Sequence, residues 1–164
     1  MVGVGVETRA AGFLLKKELD YFSKVLEAPT RPLTMILGGA KVADKIQLIM
    51  NMLDKADELI IGGGMAFTFN SIINNTPIGN SLYDEEGAKL VPEILAKARS
   101  KKCNIHIPQD FVCSTSIDGT GEIVYRTEEQ GIDDGYLGLD IGEQTAANFV
   151  DVIKNSKTIF WNGP

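Results

Sequence analysis

Cysteine is nearly missing from this sequence: its 164 residues include only Cys103 and Cys113. Two thiols without C-x-x-C spacing make neither a disulfide scaffold nor a structural zinc site. They fit a reducing compartment, so the expected location is cytoplasmic. Histidine is scarcer still, and His106 stands alone between Ile105 and Ile107. In that strand-like setting it reads as a partly exposed strand residue rather than a catalytic base. No stretch approaches the ~18 consecutive apolar residues of a membrane span. The opening Met1-Val2-Gly3-Val4 has no basic region leading into an apolar run, so no secretory signal is expected. Positive charge is also short: 16 Lys and Arg against 22 Asp and Glu leave a net charge of −6. That balance argues against broad binding to nucleic acid or to anionic membranes. Any anion held here needs a local cluster.

With 44% hydrophobic and 23% charged residues, the chain reads as one globular domain and not as a disordered or fibrous one. Helical and extended patterns alternate along it. Leu15, Leu19, Phe22 and Leu26 form one helical stripe that Pro29 and Pro32 close. Leu33–Leu37 predicts a strand entering Gly38-Gly39, and Ile46, Ile49, Met50 and Leu53 predict a helix from Val42. Leu59–Ile61 predicts the next strand, closed by Gly62-Gly63-Gly64 and followed by a helix from Met65 to Asn74. Asp84, Glu85 and Glu86 open a further helix, their charge suiting its positive end. Strands are expected at Asn104–Val112, Ile123–Tyr125, Tyr136–Leu139 and Thr158–Trp161, with a helix from Glu143. The Asp118-Gly119 turn falls within the loop Ser114–Gly121. The alternation predicts an α/β fold: a doubly wound parallel sheet with helices on both faces, Rossmann-like. Ligands of such sheets bind beyond the carboxyl ends of the strands. The chain stops at one such end, which reads as a truncated single domain.

The densest chemistry lies in Gly38-Gly39-Ala40-Lys41-Val42-Ala43-Asp44-Lys45. Small residues after a strand let backbone N–H groups approach an anion, and the following helix start adds its positive end. Lys41 and Lys45 stand at i and i+4, on one side of the expected first turn. Lysines there oppose the helix dipole, which a bound phosphate would explain; two solvated lysines fit the same spacing. The segment matches neither G-x-x-x-x-G-K-[ST] nor G-x-G-x-x-G, and the second mismatch disfavours a nicotinamide-dependent dehydrogenase. Gly62-Gly63-Gly64 permits close approach to a flat ring or phosphate, or simply a tight turn. Asp110 and Asp140 either line the crevice or cap and turn the chain. No set of residues has metal-ligand spacing.

Taken together, LGGAKVADKI (37–46), IIGGGMAFTF (60–69), SLYDEEGAK (81–89), GLDIG (138–142) and WNGP (161–164) closely resemble the phosphoglycerate kinase family. The opening MVGV and GFLLKKELDYF (12–22) resemble the helix that begins that family's nucleotide-binding half. The resemblance covers nearly the whole chain, with the motifs in the same order. It implies part of the C-terminal, nucleotide-binding domain of a two-domain kinase. That enzyme moves a phosphoryl group between 1,3-bisphosphoglycerate and Mg-ADP, giving 3-phosphoglycerate and Mg-ATP. The resemblance makes Lys45 and Lys41 the catalytic lysines and puts Gly39, Ala40, Gly63, Gly64, Leu82, Leu139, Asn162 and Pro164 around the nucleotide. Ile117 falls where the family usually has an aromatic residue against the adenine. By the same resemblance the N-terminal acceptor domain and a final C-terminal segment, including a magnesium-holding loop, are absent. The 164 residues alone are expected to be inactive. A non-catalytic adenine-nucleotide-binding module and a structural fragment remain the alternative readings.

Overall fold

A computed structural model of the protein describes residues 12–163. The chain divides into two units, residues 1–30 and 31–164. In the first, α1 spans Phe13–Glu27, in line with the spacing of Leu15 and Leu19. The MVGV opening and the side chains of Phe22 and Leu26 lie outside the described residues.

The second unit runs β1 (Leu33–Leu37), a 3-10 turn (Ala43–Lys45), α2 (Ile46–Leu53), β2 (Glu58–Ile61), α3 (Met65–Ile73) and α4 (Glu85–Lys101). It continues through β3 (Asn104–His106), β4 (Asp110–Ser114), β5 (Ile123–Thr127), β6 (Leu137–Ile141), α5 (Glu143–Asn155) and β7 (Thr158–Asn162). Four strands form a parallel sheet in the order β3-β2-β1-β7. The expected α/β, Rossmann-like architecture is therefore present. Among the described residues no helix is long and apolar enough to cross a membrane.

Alternation along the strands explains the layering. Leu33, Met35 and Leu37 of β1 and Leu59 and Ile61 of β2 are fully buried, as are Ile49 and Leu53 of α2, Met65 and Phe69 of α3, and Val91 and Ile94 of α4. Each such side chain contributes about 1.5–3 kcal/mol when removed from water, so this layer dominates the unit's stability. The other face of β1 belongs to α5: the Thr34 hydroxyl lies 2.5 Å from that of Ser156, just past the helix end. Here the packing is looser. A cavity of about 370 Å³ opens between the sheet and α5, lined by Ile36, Ile60, Phe149, Val150, Ile153 and Trp161 among others. β7 is one of the sheet's two edge strands, and Ile159 and Trp161 on it are exposed.

Two expected strands come out differently. Asn104–Val112 is not one strand, because Pro108 interrupts it; proline offers no N–H to a ladder. The first half is β3 of the parallel sheet. The second half is β4, the centre of a separate antiparallel sheet ordered β5-β4-β6. Tyr136–Leu139, expected in the parallel sheet, corresponds to β6 of that second sheet. The Asp118-Gly119 turn lies in the loop joining β4 to β5 as an antiparallel hairpin. Apolar periodicity identifies a strand but not its partner.

Candidate functional site

In the parallel sheet the chain steps outward from β1 to β2 and β3, then returns to place β7 on the other side of β1. Strand order therefore reverses between β1 and β7, and a crevice forms at their carboxyl ends, where sheets of this kind hold ligands. Leu37 is in register with Asn162, and the Gly38 N–H donates to the Asn162 carbonyl at 2.9 Å. Two elements distant in sequence thus deliver Gly39, Ala40, Lys41, Lys45 and Asn162 to one place.

Lys45 closes the 3-10 turn, half-buried, and its side chain folds back over Gly39. A Cβ on Gly39 would stand 2.6 Å from Lys45 Cε, so the glycine leaves room for the lysine stem. The Lys45 ammonium donates to Asn162 Oδ1 at 3.2 Å. Lys41 is exposed and sits in the bend before the 3-10 turn, outside the helix. The expected sharing of one helical turn is thus corrected: Lys45 ends the 3-10 turn and α2 begins only at Ile46. Residues 38–42 and the 3-10 turn must first carry the chain away from β1.

The second glycine turn meets the first. Gly63 has φ +65°, and a Cβ on it would lie 2.8 Å from the Gly39 nitrogen and 2.9 Å from its carbonyl oxygen. Only glycine permits both that backbone region and that approach. A Cβ on Gly64 would stand 2.5 Å from Leu82 Cδ1 and 3.5 Å from Ala40 Cα. A mostly apolar cavity of about 370 Å³ opens beside this junction, and Gly63, Gly64, Leu82, Ile117, Leu139 and Phe111 line it. Leu82 and Ile117 are strongly exposed despite being apolar. The predicted cofactor-binding residues thus lie on the lysine turn or the cavity wall, apart from Asn162, which ends β7 beside the lysine turn, and Pro164, which lies outside the described residues.

Of the other candidates, His106, Cys103 and Asp110 lie outside the lysine turn and the lining of this cavity. His106 Nε2 sits 2.6 Å from Glu58 Oε2. Burial, with the Glu58 and Asp57 charges, pushes the Cys103 thiol up to about 12, leaving it protonated at neutral pH. Asp110 caps α5 from a distance: its carboxylate accepts the N–H groups of Gln144 at 3.0 Å and Thr145 at 2.8 Å, and the Thr145 hydroxyl as well. Burial raises its carboxyl, but the Thr145 hydroxyl and the two N–H groups outweigh that and hold it below the usual range. Asp140 is exposed at the cavity wall. In the loop carrying Ile117, the Ser116 hydroxyl and the N–H and hydroxyl of Thr120 all donate to Asp118 and hold its carboxyl down at about 2. Among the described residues no group of three His, Cys, Asp or Glu is placed to hold a metal ion. One participant escapes the sequence reading, which treats Asp84 only as a helix start: its carboxylate also bonds the lysine turn. The glycine at Gly87, which leaves space for that carboxylate, was the available signal.

Fold and site together define an open α/β protein with glycine-lined strand ends and a lysine turn beside an apolar cleft. The profile of the family described as phosphoglycerate kinase matches residues 1–164. A phosphoglycerate kinase of Euplotes crassus is 67% identical over this whole chain, which corresponds to 39% of that protein. One from Paramecium primaurelia is 58% identical, with 45% of its length covered. The solved phosphoglycerate kinase of Coxiella burnetii superposes with a TM-score of 0.88 at 33% identity, over 94% of this chain and 39% of that one. The chain belongs to the phosphoglycerate kinase family. It spans less than half the length of these relatives.

Proposed function

We propose that these residues form part of the nucleotide-binding C-terminal domain of a cytoplasmic phosphoglycerate kinase, which moves a phosphoryl group between 1,3-bisphosphoglycerate and Mg-ADP in glycolysis. The observation that carries this reading is the junction of the two glycine turns. It sets the Lys45–Asn162 pair next to an apolar cleft, with cations for phosphates on one side and a slot for a flat base on the other. In this reading the adenine lies between Gly63, Gly64, Leu82, Ile117 and Leu139. The phosphates extend past Gly39 and Ala40 to Lys41 and Lys45, with Asn162 alongside. Phosphoryl transfer asks little covalent chemistry of a protein, so positioning and charge stabilisation are the roles of Lys45 and Lys41. The charged groups here, the Lys41 and Lys45 ammonium groups, suit phosphate oxygens and not a cation. Magnesium would therefore enter on the nucleotide, where it neutralises phosphate charge. The acceptor site and the remaining magnesium contacts belong to the rest of the enzyme, and the 164 residues alone do not turn over.

The test is calorimetric titration of the full-length enzyme with Mg-ADP. Leu82→Asp puts a charge against the base and should weaken binding by at least about tenfold, equivalent to about 1.4 kcal/mol. Unchanged affinity would refute the placement of the adenine. Ile117→Phe should act the other way. An aromatic face stacked on the base adds about 0.5–1.5 kcal/mol, so affinity should rise by roughly two- to tenfold.

A further inference from the structure

The segment from Ser81 to Asp84 ties the two halves of the candidate site together. At its start Ser81 is buried, and its hydroxyl oxygen accepts the Gly138 N–H of β6 at 2.9 Å. Leu82, next along, forms part of the apolar wall against Gly64. At its end the Asp84 N–H donates to the hydroxyl of Thr68, a fully buried residue of α3, at 3.1 Å. The Asp84 carboxylate then reaches 41 residues back along the chain and accepts the Ala43 N–H at 2.9 Å. Ala43 opens the 3-10 turn that Lys45 closes. Gly87 makes room for this contact, since a Cβ on it would stand 2.6 Å from Val42 Cβ and closer still to the Asp84 carboxylate.

An aspartate that only started α4 would bond its own first turn, as N-cap residues do. This one also holds another element, and that element carries the cations. Resting on the reading that Lys41 and Lys45 take phosphates and Leu82 the base, we propose that Asp84 is a positioning residue: it fixes the Lys41–Lys45 turn at a set distance from the Leu82 wall. The carboxylate need not touch the nucleotide. It determines whether one ligand can fill both subsites at once, so that the phosphates add their binding energy to that of the base.

The comparison of adenosine with Mg-ADP reads this directly in the full-length enzyme. Asp84→Ser keeps a good N-cap for α4 but is too short to reach Ala43, so the fold should survive. Adenosine affinity should stay within about twofold, while the preference for Mg-ADP over adenosine should fall by at least about tenfold. General loosening of the fold would weaken both ligands alike. Asp84→Asn retains an acceptor for the Ala43 N–H and should keep the preference within about threefold of the parent. If the parent enzyme shows no preference for Mg-ADP over adenosine, the phosphate reading fails and this inference fails with it. If the parent shows the preference and Asp84→Ser keeps it within about twofold, the positioning role is overturned while the nucleotide reading stands.

Discussion

Lys45→Ala in the full-length enzyme should lower kcat by about a hundredfold or more while changing stability little. The two effects draw on different physics. Among the described residues the Lys45 side chain makes one hydrogen bond, to Asn162, from a half-buried position. Such a bond is worth about 0.5–1.5 kcal/mol net, the upper limit expected for the loss in unfolding free energy. In the reaction, a fixed positive donor aimed at developing charge contributes about 2.7–4 kcal/mol, which corresponds to about 10²–10³ in kcat. Steady-state kinetics alongside chemical denaturation separates the two. Turnover within about twofold of the parent would remove Lys45 from the catalytic role. Lys41→Ala should cost less, because Lys41 is exposed in the bend before the turn.

Asp110→Ala should produce the opposite pattern, a large loss of stability. The carboxylate takes up the N–H groups of Gln144 and Thr145 and the Thr145 hydroxyl. Thr145 is fully buried, and its hydroxyl oxygen in turn accepts the N–H groups of Gln109 and Asp110. Losing an N-cap costs about 1–2 kcal/mol, and hydrogen bonds to a charged group are worth about 1.5–3 kcal/mol. A combined loss of about 2–4 kcal/mol follows, since the bonds share one carboxylate and do not add independently. The effect depends on pH. Asp110 is held below the ordinary carboxyl value of 3.8, so it stabilises the native state fully above that value. Its contribution disappears as pH falls through the depressed native value. Denaturation midpoints of parent and variant should therefore differ most near neutrality and converge below pH 3.8. An equal gap at both ends of that range would show that the charge plays no part.

How much of this was legible in the sequence depended on whether the cause was local. Strands β1, β2 and β7 follow from apolar runs ending in glycine, and α5 starts at Glu143, where the sequence predicts a helix. The lysine turn stood out because lysines oppose a helix start. The resemblance, more than any spacing, gathered Leu82, Ile117 and Leu139 onto one wall. What stayed hidden were pairings between distant segments. Nothing in Tyr136–Leu139 says that it joins an antiparallel sheet, because side-chain alternation is the same in either direction. Pro108 was the visible reason to divide Asn104–Val112, and the apolar run around it masked the break. Asp84 and Asp110 each look like ordinary turn or cap residues, since their partners lie 41 and 35 positions away.

The partner chosen for Lys45 has its own consequence. Asn162 offers a carbonyl oxygen at 3.2 Å, a dipole with no net charge. A carboxylate there would hold the lysine just as firmly, but it would cancel the field the lysine projects into the crevice. An incoming phosphate would then have to break an ion pair before it gained one. With an amide, the ammonium is oriented in advance and its field stays uncompensated, so little rearrangement of charge accompanies the arrival of an anion. The register that sets Leu37 opposite Asn162 thus works as an electrostatic device: a strand pairing fixes where an unneutralised charge sits before any ligand is there to meet it.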